Sequence, residues 1–164
     1  MVPRIEILKE KKLVGLNIKM SLADNKTAQL WRAFGPRIKE INNKVSNDKI
    51  SMQIYDSGYH QSFSPHKIFE KWATVEVKNF DDLPYGIKTF KLEEGLYAVF
   101  DYKGLSSDPS VFEFIFSDWL PVSSYLLDER PHFEVLGEKY KNNDRDSEEE
   151  IWIPVVEKNI KPTQ

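Results

Sequence analysis

The stretch Leu30–Ile41, LWRAFGPRIKEI, combines an apolar helical pattern with a Gly-Pro interruption. Its apolar residues recur every three or four positions, which places them on one side of a helix. Pro36 cannot donate a backbone hydrogen bond and its ring clashes with the preceding turn. The sequence therefore predicts a helix, capped by Asp24 or Asn25, with a kink or break at Gly35-Pro36.

Alternating apolar and polar residues on both sides of this helix predict strands. The predicted strands are Arg4–Leu8, Lys12–Met20, Ile50–Tyr55 and Trp72–Val77. We expect the first two to pair as a hairpin with the charged tip Lys9–Lys12. The connection Asp56–Lys71, polar with scattered aromatic residues, is expected to be irregular.

The same order of elements recurs about 85 residues further on, where Trp119-Leu120-Pro121 corresponds to Phe34-Gly35-Pro36. Asp108-Pro109 is a typical helix start and precedes a second apolar helical face. The second set of predicted strands is Gly86–Leu92, Leu96–Tyr102, His132–Leu136 and Glu150–Val156. We expect the first two of these to form a hairpin turned by Glu93-Glu94-Gly95. Repetition at this period indicates a duplicated strand-strand-helix-strand-strand unit.

This duplication predicts an α+β fold, with an antiparallel sheet, both helices packed on one side of it and a central ligand cleft between the halves. We expect residues 1–164 to form a single domain made of two pseudo-repeats, about 3–80 and 84–158. Two unrelated halves would also produce these elements.

The composition limits the classes of function. Hydrophobic residues make up 40% and charged residues 30% of the 164 residues, as in a globular protein, and the net charge of −3 disfavours nucleic acid as a partner. The absence of cysteine excludes disulfides and thiolate chemistry. The N-terminus lacks a signal-peptide pattern and no apolar run is long enough to span a membrane, so we expect a cytoplasmic location and no membrane partner. Neither a phosphate-binding glycine loop nor a dinucleotide fingerprint is present, and we expect no cofactor.

The segment Ser147–Val156, SEEEIWIPVV, supplies the candidate binding site. In a strand, Glu150 and Trp152 share one face, whereas the two isoleucines and Val155 share the other. A carboxylate beside an indole suits a flat or cationic organic ligand. A solvated acidic run is the alternative interpretation.

Motifs along almost the whole chain resemble the gyrase-inhibitor-like (GyrI-like) effector-binding family. In chain order they are Gly15-Leu16, Leu30-Trp31, Gln53-Ile54-Tyr55, Trp72–Val77, Tyr85-Gly86-Ile87, Gly95–Phe100 with Lys103-Gly104, Trp119-Leu120-Pro121, Arg130–Glu134 and Glu148–Pro154. The resemblance implies a pseudo-twofold duplication with a ligand cleft between the halves. It also implies a buried glutamate that answers the charge of a cationic or amphipathic aromatic ligand. The position that matches this glutamate is Glu150, which leaves Glu148 and Glu149 in solvent or in a loop.

Aromatic residues of both halves are the expected ring contacts. They are Trp152, Trp72, Trp31, Tyr55, Trp119 and Tyr97. Each has the alternative role of a core residue, or of a strand tyrosine with its hydroxyl directed outward. His60 and His66 lack a third ligand, so we expect no metal site.

The sequence thus predicts a stand-alone small-molecule binding protein, an effector or sensor module for hydrophobic or cationic aromatic compounds. In the GyrI-like family this domain is often the ligand sensor of AraC-type or MerR-type transcription regulators. The sequence has no room for a helix-turn-helix, so we expect no direct DNA binding. Two alternatives stay open. One is a hydrolase of electrophilic small molecules that uses Glu150 and Tyr55, and the other is a regulatory protein-interaction module.

Overall fold

A single antiparallel sheet of nine strands forms the framework. In the computed structural model, which describes residues 1–158, the strands are β1 (Arg4–Leu8), β2 (Lys11–Met20), β3 (Lys44–Ile54), β4 (Phe69–Val77), β5 (Lys88–Leu92), β6 (Gly95–Lys103), β7 (Tyr125–Leu127), β8 (His132–Leu136) and β9 (Glu148–Glu157). Helix α1 (Thr27–Phe34) continues as a 3-10 helix, Gly35–Glu40. The second helical segment consists of α2 (Ser110–Glu113), a π-helical stretch (Phe114–Trp119) and α3 (Leu120–Val122).

The strand order shows the duplication. It runs β1-β6-β9-β8-β3-β4-β2-β5, with the short β7 paired to β9. Exchanging the two halves leaves this order unchanged, and β3 meets β8 at the centre with Met52 opposite Phe133. The predicted α+β fold and its duplicated unit are therefore confirmed.

Both predicted hairpins are wrong. β1 pairs with β6 of the other half, and β5 pairs with β2, so each half contributes an edge strand to its neighbour. Tight two-residue hairpin turns need positive backbone φ angles, which glycine and asparagine supply. The short links Lys9-Glu10 and Glu93-Glu94 contain neither residue, and neither link has a positive φ angle. The chain therefore crosses from one half to the other at these links.

Local signals place the helices close to their predicted positions. The backbone N–H of Thr27 donates to Asn25 Oδ1 at 3.0 Å, but Lys26 occupies the N-cap of α1 and makes no capping hydrogen bond with its side chain. Helix α1 gives way to the 3-10 helix at Gly35, the predicted break. The N–H of Ser110 donates to Asp108 Oδ1 at 2.9 Å, and Pro109 occupies the N-cap, one residue later than predicted. None of the helices in the described residues is long and apolar enough to cross a membrane.

The two faces of the sheet are buried in different ways. Both helical segments pack on one side, here called the helix face, where Phe34 of α1 packs with Val75 in one half and Ile115 of the second helical segment packs with Phe100 in the other. On the opposite side, here called the open face, Leu8 of β1 and Leu92 of β5 belong to one apolar cluster. These strands stand at opposite ends of the strand order. The sheet therefore curls into a half-barrel whose concave side is the open face.

Candidate functional site

The predicted pair Glu150 and Trp152 lies on the open face. Trp152 stacks on Phe133 with ring centroids 5.2 Å apart, and its indole N–H donates to Glu150 at 3.1 Å. Glu150 also accepts a hydrogen bond from Arg4, whose guanidinium reaches Asp101 at 3.0 Å as well. The side chain of Glu150 therefore points away from both helices and already has a cationic partner.

A cavity of about 340 Å³ opens on this face beside the end of β1. Phe133 and Trp152 form part of its lining, together with Glu150 and Glu76. Lys11 Nζ lies 3.1 Å from Glu76 Oε1, and Arg4 pairs with Glu150. Both half-buried carboxylates of this cavity are thus neutralised within the chain.

Four of the other predicted contacts are core residues. Trp72 and Tyr97 lie in the open-face core, and the Tyr97 ring carries the Arg130 guanidinium 4.7 Å from its centroid. Trp31 and Trp119 lie on the helix face, but each packs into the apolar core of its own half. The structure therefore groups Trp72 and Tyr97 with Trp152, whose ring centroid lies 5.8 Å from that of Tyr97. It places Trp31 and Trp119 in two separate clusters on the other face.

A polar cluster that the sequence analysis missed lies at the centre of the helix face, where β3 meets β8. Gln53 Nε2 donates to Glu134 Oε1 at 3.0 Å, and Lys71 Nζ lies 3.9 Å from the same oxygen. Glu134 is 9% and Lys71 is 7% exposed. Glu149 lies on the same face of β9, where it is half-buried, so the expectation that it lies in solvent or a loop is wrong. We call Gln53, Lys71, Glu134 and Glu149 the central polar cluster.

Burial perturbs every charged group of this cluster. It lowers the pKa of Lys71 and raises the pKa of Glu134, although the two groups attract one another. Burial and then the neighbouring charge of Glu134 raise the pKa of Glu149 to about 7. Replacing buried ion pairs by apolar residues is often neutral or stabilising, so retaining them favours a function over a purely structural role.

Aromatic rings of both halves lie next to the central polar cluster. Tyr55, the one predicted contact found here, packs edge-on against His132 at 4.9 Å and His60 at 4.7 Å. His60 lies flat against His132 at 5.2 Å and against Phe116 at 5.2 Å. His132 precedes Glu134 by two residues on the same face of β8, and burial lowers the pKa of His132 to about 3. We call Tyr55, His60, Phe116 and His132 the aromatic cluster.

The sequence contains one signal for the missed residues. Lys71 stands in alternation with Ala73, Val75 and Val77 of β4, all of which are buried, so its position belongs to a core face. A charge in such a position requires a partner. Within residues 1–158, no three histidine, aspartate or glutamate side chains come together as ligands for a metal ion.

Fold and site together define a class: a duplicated α+β protein with one polar site shared by its two halves. The chain belongs to the family of integron-associated effector-binding proteins, whose model matches residues 4–155. This match confirms the resemblance to the GyrI-like family.

Several solved structures have the same fold. SAV2435 bound to tetraphenylphosphonium is 18% identical, with a TM-score of 0.65 over 95% of this chain and 94% of that one. An integron cassette protein of Vibrio cholerae is 15% identical, with a TM-score of 0.65 over 94% and 96% of the two chains. The C-terminal domain of EcmrR is 14% identical, with a TM-score of 0.70 over 94% and 97%. The search of curated proteins found no match.

Proposed function

We propose that this chain binds a small aromatic organic cation at the central polar cluster. The observation that carries the proposal is an imbalance of charge, since Glu134 and Glu149 face the single ammonium of Lys71. Burial, and then the charge of Glu134, raise the pKa of Glu149 to about 7. A cation beside Glu149 would supply the missing positive charge and favour its ionised form.

The aromatic cluster supports the same class of ligand. A cation over an aromatic face gains about 0.5–2 kcal/mol, depending on how far it is desolvated. Rings and carboxylates lie together here because His132 and Glu134 share one face of β8. SAV2435, which has the same fold, is bound to tetraphenylphosphonium, an aromatic cation. That ion is therefore the first probe to use on this chain.

The charge-recognising carboxylate in this proposal is Glu149, one residue before the predicted Glu150. Glu150 has Arg4 as its partner on the open face, whereas Glu149 shares the helix face with Glu134. Neighbouring residues of a strand point to opposite faces. The chain thus provides a matched pair of variants, Glu149→Gln and Glu150→Gln, that make the same chemical change on the two faces.

Isothermal titration calorimetry with two ions of equal shape and opposite charge tests the proposal. We expect tetraphenylphosphonium to bind and tetraphenylborate not to bind. Glu149→Gln removes a charged contact and should weaken the binding of tetraphenylphosphonium about tenfold or more, because contacts to charged groups contribute about 1.5–3 kcal/mol. Glu150→Gln should change it less than about twofold.

Two results would contradict the proposal. Equal binding of the phosphonium and the borate would remove charge as the basis of recognition. A loss of phosphonium binding in Glu150→Gln but not in Glu149→Gln would transfer the site to the open-face cavity.

Hydrolysis of an electrophilic small molecule is the second candidate function. A glutamate with a pKa of about 7 suits a general base, and burial keeps the hydroxyl of Tyr55 protonated by raising its pKa. Incubation with styrene oxide, followed by mass spectrometry of the diol, tests this candidate. Turnover that disappears in Glu149→Gln would support an enzyme, whereas binding of probe ligands without turnover would support a binding protein.

A further inference from the structure

Three rings of the aromatic cluster form a platform that does not depend on the fourth. Tyr55 and His132 have centroids 4.9 Å apart, and Phe116 and His132 have centroids 6.0 Å apart. Tyr55 follows the end of β3, His132 lies in β8 and Phe116 lies in the π-helical stretch. The end of β3, strand β8 and the π-helical stretch therefore position the platform, with contributions from both halves.

His60 covers this platform with its imidazole. Its ring is almost parallel to His132, at 8°, inclined by 30° to Phe116, and edge-on to Tyr55 at 77°. These are the offset-stacked and edge-to-face arrangements that aromatic rings prefer. His60 therefore makes the contacts that a planar ring of a ligand would make.

His60 lies further from regular structure than the platform residues do. It lies on the irregular connection between β3 and β4, two residues after Gly58, which has a φ angle of +83°. Ser57 Oγ donates to Glu129 at 2.8 Å, and the N–H of Ala23 donates to the carbonyl of Pro65 at 2.8 Å. The connection is thus attached at both ends, with a glycine next to the segment that carries His60. Withdrawal of the imidazole requires a change in a loop and leaves every strand pairing intact.

We propose that His60 is the internal occupant of an aromatic ligand subsite formed by Tyr55, Phe116 and His132. The ligand class is a planar aromatic ring joined to a cationic group, with the ring on the platform and the cation towards the central polar cluster. This inference rests on the proposed function, because the platform is a ligand subsite only if the cluster binds a ligand. His60 leaves the platform when the ligand ring arrives.

Competition of this kind has a measurable consequence. A ligand that binds only when His60 is displaced shows an apparent affinity reduced by the fraction of molecules with an open platform. Because His60 makes two stacked contacts, we expect His60→Ala to tighten tetraphenylphosphonium binding about tenfold. Tetrabutylphosphonium carries the same charge without rings, and its affinity should change less than about twofold. His66→Ala, at an exposed position of the same connection, is the matched control.

Histidine NMR gives a second readout on the wild-type protein, which does not depend on any variant. The chain has three histidines, and the imidazole signals of His60 are compared with those of exposed His66. Burial and the charge of Lys67 lower the pKa of His60 in the closed state. Saturating tetraphenylphosphonium should move the pKa of His60 towards the ordinary histidine value as its imidazole enters solvent. The imidazole signals of His66 should not change on addition of the ligand.

The outcomes separate the two proposals. Tighter binding in His60→Ala, together with the NMR change, supports the inference. Wild-type binding of tetraphenylphosphonium with unchanged His60 signals overturns the inference and leaves the proposed function intact. Absence of binding to wild type and to His60→Ala alike overturns both. If His60→Ala fails to fold, the NMR titration alone decides.

Discussion

His132 should make the protein sensitive to acid, and His132→Phe should remove that part of the sensitivity. Burial and the neighbouring His60 lower the pKa of His132 to about 3, whereas an unfolded histidine has a pKa of about 6.5. Between these values the unfolded chain binds a proton that the folded protein does not bind. The free energy of unfolding therefore falls as the pH falls below about 6.5. At pH 5 the difference is about 1.5 pH units, which corresponds to about 2 kcal/mol.

Urea denaturation followed by tryptophan fluorescence at pH 7, 6 and 5 measures this effect. Phenylalanine retains a ring in the cluster but cannot titrate, so the variant lacks the His132 contribution. The stability of wild type relative to His132→Phe should drop by about 2 kcal/mol between pH 7 and pH 5. Glu149 has a pKa raised to about 7 and titrates in the same range with the opposite sign, but it is present in both proteins and its contribution cancels in the difference. Parallel pH profiles for the two proteins would refute a buried, neutral His132.

Three further predictions follow from local geometry. Gly15→Ala would place a Cβ 1.8 Å from the carbonyl oxygen of Ala73, so it should lower the free energy of unfolding in urea by about 3 kcal/mol or more. Gly35→Ala adds a Cβ with nothing within 4 Å, so it should raise the free energy of unfolding by up to about 1 kcal/mol. A larger loss of stability for Gly35→Ala than for Gly15→Ala would contradict this prediction. Calorimetry should show that tetraphenylphosphonium binds about tenfold more tightly at pH 8 than at pH 6. The reason is that a proton competes with the cation for Glu149 below its pKa of about 7. This pH dependence should vanish in Glu149→Gln. A pH-independent affinity in wild type would exclude Glu149 as the competing group. Arg4→Met breaks a partly exposed ion pair on the open face and should lower the unfolding free energy by at most about 1 kcal/mol, without changing phosphonium affinity. A large loss of affinity would link the open face to binding.

The parts of the fold that were predictable depend on local signals. The Gly35-Pro36 break and the acid at Asp108 act within one helical turn. The structure has the break where the sequence indicates it and begins the second helical segment one residue after the predicted start. The correspondence between the two halves needs only the order of elements. These features follow from backbone sterics and capping, which neighbouring residues determine.

The exchange of edge strands depends on partners far along the chain. β1 could pair with β2, its neighbour in sequence, or with β6, and both pairings satisfy alternating hydrophobicity. The deciding evidence is negative: the links Lys9-Glu10 and Glu93-Glu94 lack the residues of a tight turn. The residues available for a turn therefore decide the pairing here, and closeness in sequence does not.

The proposed binding site also depends on contacts between residues that are far apart in the sequence. Alternation correctly places Glu150 and Ile151 on opposite faces of the sheet, but it does not say which face carries the proposed binding site. That answer comes from β8 and β4, whose Glu134 and Lys71 contact each other only after three strands have paired. Lys71 stands in alternation with apolar neighbours, and the cost of burying its charge is the physical reason to look for a partner there.

Strand exchange also determines how a ligand can reach the central polar cluster. β1 belongs to the chain segment of the first half but pairs with β6 of the second, and β5 does the reverse. With β3 and β8 also paired at the centre, separating the halves would break three strand pairings at once. Opening the proposed site by a hinge between the halves would therefore require a large free energy. The connection between β3 and β4 lies outside all strand pairings, and it carries the ring that covers the platform. Movement of His60 is thus a route to the proposed site that leaves the sheet intact. We therefore expect this loop side chain, rather than an interface between the halves, to control the affinity of the proposed site.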